Sequence, residues 1–167
     1  MSKYQDYKEQ VFDVTKRLQA MGYFGTKSGS GGNVSMWVEG EEAIAVTPSD
    51  LKYDDMVVDD ICIVDYDLKW IDSKHEPSRE AGMHLACYKN RKDVSSVIHT
   101  HQPAVSALSL LNIPIPALFD EGCLAIGKEV AVVPYGLSGS DELLEGVVNA
   151  LDNRCPVSYT HLTLPTN

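Results

Sequence analysis

Cysteine is sparse in this chain. The four thiols, Cys62, Cys87, Cys123 and Cys155, are scattered through 167 residues with no Cys-x-x-Cys pair and no dense pattern, so no disulfide framework is implied and reduced thiols in a cytoplasmic protein are expected. Positive charge is also short, with 14 Lys and Arg against 24 Asp and Glu and a net charge of −10. Long-range attraction to nucleic acid or to an anionic membrane is therefore disfavoured, and an anionic substrate must be held by local donors. No apolar run approaches the roughly eighteen residues of a membrane span, and Met1 to Gln10 is polar and charged rather than apolar behind a basic stretch. Neither export nor membrane spanning is indicated. What is present is 44% apolar content, enough for one globular domain with a substantial core.

Apolar periodicity predicts the elements. Val11, Phe12, Val14, Leu18 and Met21 fall at helical spacing within Tyr7 to Met21, and Gly22 supplies a stop. Ser28 to Ser35 reads as a glycine-rich loop leading into a strand over Met36-Trp37-Val38, with Ala43 to Val46 as a second strand joined to it through Glu39-Gly40-Glu41. Ile61 to Asp65 and Lys69 to Ile71 flank the turn Tyr66-Asp67-Leu68 as a further hairpin, giving a largely antiparallel sheet. Pro77 opens a helix over Ser78 to Lys89, and Arg91-Lys92-Asp93 breaks it before a strand carrying His99. Pro103 to Leu111 reads as a helix, Ala131 to Val133 as a short strand, and Asp141 to Leu151 as a last helix capped by Ser140. The pattern is α/β in layers with no internal repeat.

The most informative stretch is Val97-Ile98-His99-Thr100-His101, taken with Glu80 upstream. Side chains alternate faces along a strand, so His99 and His101 point the same way and two imidazoles can grip one divalent ion, for which zinc suits best. A metal held by protein nitrogens with one position open polarises a carbonyl and stabilises an enolate or enediolate. Such chemistry needs a proton carrier, and Glu80, behind Pro77-Ser78-Arg79 at a helix start, is placed to be general base and acid beside the metal. Its bland reading is a helix-start glutamate favoured by the macrodipole. The Ser28 to Ser35 loop offers backbone N–H groups and the Asn33 amide to a phosphate or polyol oxygen, although a hairpin lead-in explains it equally. Thr47-Pro48-Ser49 adds hydroxyls in what is by itself an ordinary turn.

The order Gly32-Asn33-Val34-Ser35, Thr47-Pro48-Ser49, Pro77-Ser78-Arg79-Glu80, His99-Thr100-His101 resembles that of the class II aldolase/adducin family, from the first helix to about Arg154. Val133-Pro134-Tyr135 and the Glu142-Leu143 to Asn153-Arg154 helix resemble most the fuculose-phosphate aldolases of that family. The resemblance implies a three-layer α/β/α fold with a largely antiparallel central sheet. It further implies a cytoplasmic, Zn2+-dependent lyase (or one using another divalent cation) that reversibly cleaves a ketose 1-phosphate, a small-molecule sugar phosphate, into dihydroxyacetone phosphate and an aldehyde. His99 and His101 match two of three metal histidines, and Glu80 matches the acid/base glutamate that can itself approach the metal. Asn33, Ser49 and Ser78 match positions lining the phosphate pocket, with Gly32 and Arg79 in the same segments. A homotetramer with sites at subunit interfaces is the expected assembly.

Departures from the family pattern carry information. Asp50 stands where glycine commonly follows Thr-Pro-Ser/Thr, and Arg79 stands where a second serine precedes the glutamate. A carboxylate beside a phosphate costs affinity, while a guanidinium offsets that cost or pairs with the same aspartate. Whether the substrate is phosphorylated or another hydroxy-carbonyl acid is left open by this exchange. A gap-free count places Asp120 where the aldolases carry a catalytic tyrosine, so that role does not transfer. The third metal histidine is expected in an apolar strand ending in Asn-His-Gly or His-His-Gly, but Val157 to Thr166 resembles a translated sequencing-library adapter. Residues 1–156 are accordingly expected to form an incomplete class II aldolase/adducin-like domain, and 157–167 a non-native tail. His161 falls one residue before the ligand position, which Leu162 occupies, and a one-residue shift in a strand turns a side chain to the opposite face.

Two other functions fit parts of the pattern. A pentulose-phosphate 4-epimerase shares the metal and the retro-aldol chemistry. Epimerases usually carry aspartate where Glu80 stands, which favours the aldolase, while Asp120 and Glu121 keep the alternative. A non-catalytic adducin-like binding module would keep the fold without the metal, and the joint presence of Glu80, His99 and His101 argues against it.

Overall fold

The computed structural model describes residues 2–24, 31–137, 139–151 and 158–159. Ser28, Gly29, Ser30, Cys155, His161 and Leu162 lie outside the described residues, and of the expected tail only Ser158–Tyr159 is described. The chain divides into two units, Met1–Gln102 and Pro103–Asn167. Among the described residues no helix is long and apolar enough to cross a membrane.

The first unit is built on a five-stranded sheet of β1 (Gly32–Trp37), β2 (Ala43–Val46), β3 (Cys62–Asp65), β4 (Trp70–Asp72) and β5 (Ser96–Thr100), in the order β4-β3-β2-β1-β5. Every neighbouring pair is antiparallel. Helices α1 (Gln5–Ala20) and α2 (Ala81–Asn90) complete it, with a short 3-10 turn at Val58–Asp60. The continuous apolar runs of β2 and β3 have a simple cause: both faces of the sheet are covered. Ala43, Ala45 and Ile63 pack with Val11 in the core cluster that also takes in Phe12, Val14 and Leu18 of α1. Their alternates, Ile44, Val46, Cys62 and Val64, pack with Ala81, Leu85 and Tyr88 of α2. Strand alternation thus feeds two cores from one sheet, which yields the three layers α/β/α.

Most predicted elements are present, and the differences have identifiable causes. The first strand begins at Gly32 rather than Met36, because β1 pairs on both sides, with Gly32 opposite Thr100 and Ser35 opposite Val46. The second helix begins at Ala81 rather than Ser78. Pro77 is instead bridged to Pro48, and the Ser78 N–H donates to the Thr47 carbonyl at 3.0 Å, so this segment runs extended against the Thr47-Pro48-Ser49 turn. Both predicted hairpins form, and Gly40 sits at φ 78 in the first turn, a conformation glycine adopts at no steric cost.

The second unit holds α3 (Pro103–Leu110), β6 (Ile115–Pro116), α4 (Asp120–Ile126), β7 (Glu129–Val130), β8 (Val132–Val133), α5 (Asp141–Leu151) and β9 (Ser158–Tyr159). β6 pairs antiparallel with β7, and β8 pairs parallel with β9. The strand expected over Ala131 to Val133 is present as Val132–Val133, whereas β6, α4 and β7 carry too little periodicity to read from the sequence, being two-residue strands and a seven-residue helix. Ser140 caps α5 as expected, its hydroxyl accepting from the Leu143 N–H at 3.3 Å, and Leu143 and Val147 are buried.

Gly32 joins fold and site. It has φ +149, and a Cβ there would meet the His99 carbonyl oxygen and the Phe24 ring. Its own carbonyl accepts from the buried Tyr53 hydroxyl. Replacing Gly32 with Ala forces β1 away from β5 and is expected to destabilise the chain by at least about 2 kcal/mol, measured as a lower urea midpoint.

Candidate active site

The polar residues of β1 and α2 meet in one buried seam. Asn33, Ser35 and Trp37 alternate onto the α2 face of β1, while Glu80, His84 and Tyr88 recur every four residues along the helix line. Two strand residues advance about 6.6 Å and four helical residues about 6 Å, so the two rows stay in step. The contacts follow that register. Asn33 Nδ2 donates to Glu80 Oε2 at 2.7 Å, Ser35 Oγ lies 2.7 Å from His84 Nδ1 and 2.8 Å from the Tyr88 hydroxyl, and the Trp37 and Tyr88 rings meet edge-on at 5.8 Å.

β5 adds the third side. His99 stands directly opposite Asn33 in the β1–β5 register, which sets both on the same face. Its Nδ1 contacts the same Glu80 oxygen that Asn33 holds. Glu80, Asn33 and His99 are only 5%, 7% and 7% exposed, so this carboxylate is no solvated helix-start glutamate. Glu80 occupies the N-cap position of α2 but makes no side-chain cap; its carboxylate turns inward instead. His101 follows β5 by one residue and is half-buried, its ring centroid 4.7 Å from that of His99 with a 49° tilt.

The site's electrostatics follow from burial. His84 is fully enclosed, and its pKa is pushed down to about 3, first by loss of water, then by the charge of His99, with Glu80 opposing. The ring is neutral at every physiological pH. Burial likewise pushes the Tyr53 phenol up to about 12, with the Glu80 charge adding to it, and raises that of Tyr88 further.

The anion-binding residues expected from the sequence are gathered a short way along the same segments. Thr47-Pro48-Ser49 is laced to Glu76-Pro77-Ser78 by the Pro48–Pro77 bridge, by Ser78 N–H to the Thr47 carbonyl at 3.0 Å and by Ser49 N–H to the Glu76 carbonyl at 2.7 Å. Ser49 and Ser78 are half-buried. Asp50 and Arg79 form the ion pair anticipated from their joint departure, Nη2 to Oδ2 at 2.9 Å, with both side chains exposed. The Ser49 hydroxyl also donates to that aspartate oxygen, at 3.3 Å. Asp50 adopts φ 53, in the left-handed region where glycine is favoured.

Does this donor set suit a divalent cation? A carboxylate on Nδ1 orients a histidine ring and strengthens its other nitrogen as a ligand, which is the arrangement at His99. The adjacent His101 ring is near enough to share an ion with it. Among the described residues, however, no group of three or more His, Cys, Asp or Glu is arranged to hold a metal. Glu80 stands beside His99, its Oε2 accepting from Asn33 and contacting the His99 ring. His99 and His101 fit as two nitrogen ligands of a larger set. Asp120 lies exposed at the start of α4 in the second unit.

Sequence reasoning missed His84, Tyr88 and the part played by Ser35. The signal was present as Glu80-x-x-x-His84-x-x-x-Tyr88, a polar row on a helix whose other positions are largely apolar, facing Asn33-x-Ser35 on a strand. Because His84 is neutral in the folded chain and titrates near 6.5 when unfolded, its contribution is present above that pH and is lost as pH falls from 6.5 toward about 3. The urea midpoint should therefore decline on acidification below about 6.5, and His84→Gln should flatten that decline.

Comparison with known proteins agrees with this geometry. Residues 12–161 match the family described as Class II Aldolase and Adducin N-terminal domain. The L-fuculose phosphate aldolase of Escherichia coli O6:H1 is 35% identical over 152 residues, covering 91% of this chain and 68% of that enzyme. The 5-deoxy-D-ribulose 1-phosphate aldolase of Bacillus thuringiensis serovar kurstaki is 29% identical over 150 residues, covering 90% and 68%. Among solved structures, an L-fuculose 1-phosphate aldolase superposes with a TM-score of 0.84 at 28% identity, covering 92% of this chain and 71% of that one. With the match spanning most of its length and its relatives named as aldolases, the chain belongs to the class II aldolase and adducin family of lyases.

Proposed function

We propose that this protein is a cytoplasmic Zn2+-dependent aldolase that cleaves a ketose 1-phosphate into dihydroxyacetone phosphate and an aldehyde. The observation that carries the reading is the buried Glu80 carboxylate, held between the Asn33 amide and the His99 imidazole. Enclosing a carboxylate and an imidazole costs stability that a binding module has no reason to give up, whereas a proton carrier needs this confinement. His99 and His101 would hold the divalent cation, which supplies polarisation of the substrate carbonyl. Glu80 moves the proton at the nascent enediolate carbon, with Asn33 fixing which oxygen faces it. The fuculose- and deoxyribulose-phosphate aldolases among its relatives support a sugar phosphate as substrate. The same reading carries a homotetramer, and the exposed Leu118, Phe119 and Leu124 supply apolar surface of the kind subunit contacts cover.

At the phosphate end Ser49, Ser78, the Gly32–Asn33 segment and Arg79 are the donors. Asp50 already engages two of them, the Ser49 hydroxyl and the Arg79 guanidinium, so an incoming phosphate must displace it. Phosphate-ester affinity is therefore set by a competition inside the chain.

Two experiments check this. Zinc content and release of dihydroxyacetone phosphate from a panel of ketose 1-phosphates should show metal-dependent cleavage that falls at least about 100-fold in Glu80→Gln, with bound zinc reduced in His99→Ala and His101→Ala. Zinc binding without cleavage would point instead to an epimerase or a substrate without phosphate. Separately, Asp50→Gly should lower KM for the ester several-fold, and Arg79→Ser should raise it. Exposed ion pairs contribute at most about 1 kcal/mol, so stability should barely change in either variant. An unchanged KM in Arg79→Ser would remove Arg79 from the anion site.

A further inference from the structure

Strand β1 outruns its neighbour β2. Gly32, Asn33 and Val34 lie past the last residue pair the two strands share, Ser35 opposite Val46. Just beyond that pair the Val34 carbonyl accepts from the Thr47 N–H at 3.0 Å, so the main-chain groups of Val34 face the β2 side. Groups of alternate residues along a strand face the same neighbour, so those of Gly32 face that side too. Strand pairing cannot continue there, because Pro48 has no N–H to give and bridges Pro77 instead.

Two side chains take over where β2 stops. The Thr47 hydroxyl oxygen accepts from the Val34 N–H at 3.3 Å, and the Tyr53 hydroxyl donates to the Gly32 carbonyl. Both residues are fully enclosed. Tyr53 is itself anchored from α1: the Lys16 ammonium donates to its carbonyl and, at 3.3 Å, to that of Asp54, while Gln19 Nε2 donates to Asp54 Oδ1 at 2.8 Å. The Tyr53 ring meets edge-on, at 5.1 Å, the same Phe24 ring that crowds Gly32. Valine and phenylalanine would fill these two places without burying a hydroxyl, so the hydroxyls are retained for the bonds they make.

What the two bonds hold between them is Asn33. Its Nδ2 donates to Glu80 Oε2 at 2.7 Å, and β5 pairs with it from the other side, His99 opposite. Tied to β5 alone, the end of β1 could swing about a single ladder and carry the amide away from the carboxylate. We infer that Tyr53 and Thr47 are positioning residues: they splint β1 beyond the end of β2 and so fix the Asn33 amide against the Glu80 carboxylate. The Thr47 hydroxyl is thereby spent inside the fold rather than offered to a ligand. The kinetic consequence rests on the role proposed for Glu80; the placement of Asn33 does not.

NMR combined with kinetics tests this. Tyr53→Phe keeps the ring and deletes the donor, and should move the Gly32 carbonyl 13C resonance and the Asn33 side-chain amide resonances. Thr47→Val should move the same amide and speed hydrogen exchange at the Val34 N–H at least about tenfold, whereas Thr47→Ser, which keeps the oxygen, should leave both close to wild type. With a ketose 1-phosphate, Tyr53→Phe and Thr47→Val should each lower kcat about tenfold, and Thr47→Ser should retain most of it. Val11→Ala, in the same core cluster as Tyr53, should lower the urea midpoint without moving the Asn33 amide or kcat. An Asn33 amide indifferent to either Tyr53→Phe or Thr47→Val overturns the proposal, as does a loss of kcat that Val11→Ala reproduces at a comparable urea midpoint. A displaced Asn33 amide in variants of a chain that cleaves no ketose 1-phosphate would support the splint and sink the aldol reading instead.

Discussion

One carboxylate organises this protein. Glu80 is enclosed where β1, α2 and β5 meet, and its Oε2 accepts from Asn33 while contacting His99. A buried carboxylate is tolerated only when donors replace the water it has lost. Each of the three elements therefore has to arrive in a set register: β1 with Asn33 facing α2, α2 with its first turn beside the sheet, and β5 with His99 opposite Asn33. A slip of one residue in either strand would leave the charge without partners and turn an apolar residue into the seam. The proposed chemistry and the register of the fold thus depend on the same contact.

The apolar layers make that contact possible. Two cores, one under α1 and one under α2, are fed by alternate residues of β2 and β3, and this double burial fixes the sheet firmly enough to hold a polar seam at its β1–β5 side. The seam is nearly complete in its hydrogen bonding. Its two exceptions, Asn33 Oδ1 and His84 Nε2, both flank the Glu80 region.

The proposed phosphate end is organised differently. There the donors are half-buried or exposed, the backbone turns are tied by main-chain bonds, and the Asp50–Arg79 pair lies in solvent. Interactions in that environment are individually weak and easily exchanged. On the proposed reading, substitution at Asp50 and Arg79 would alter ester binding without disturbing the buried Glu80 carboxylate.

Strand alternation and the turn residues made the antiparallel hairpins and both principal helices legible from the chain alone, because those features are local and periodic, while the approach of Glu80 to His99 was legible only through the order of the motifs. The Asp50–Arg79 pair was legible too, since two coupled departures of opposite charge seek each other. His84 and Tyr88 were not legible. Their spacing is that of an ordinary helix face, and only the packing of α2 on β1 shows that this face is polar, buried and joined to Ser35. The same holds for Gly32, which the sequence offers as a phosphate cradle and which the β1–β5 contact requires for lack of space. Local periodicity determined which elements form and which residues could carry chemistry; tertiary packing decided which polar groups lose their water, and so which of them have shifted protonation.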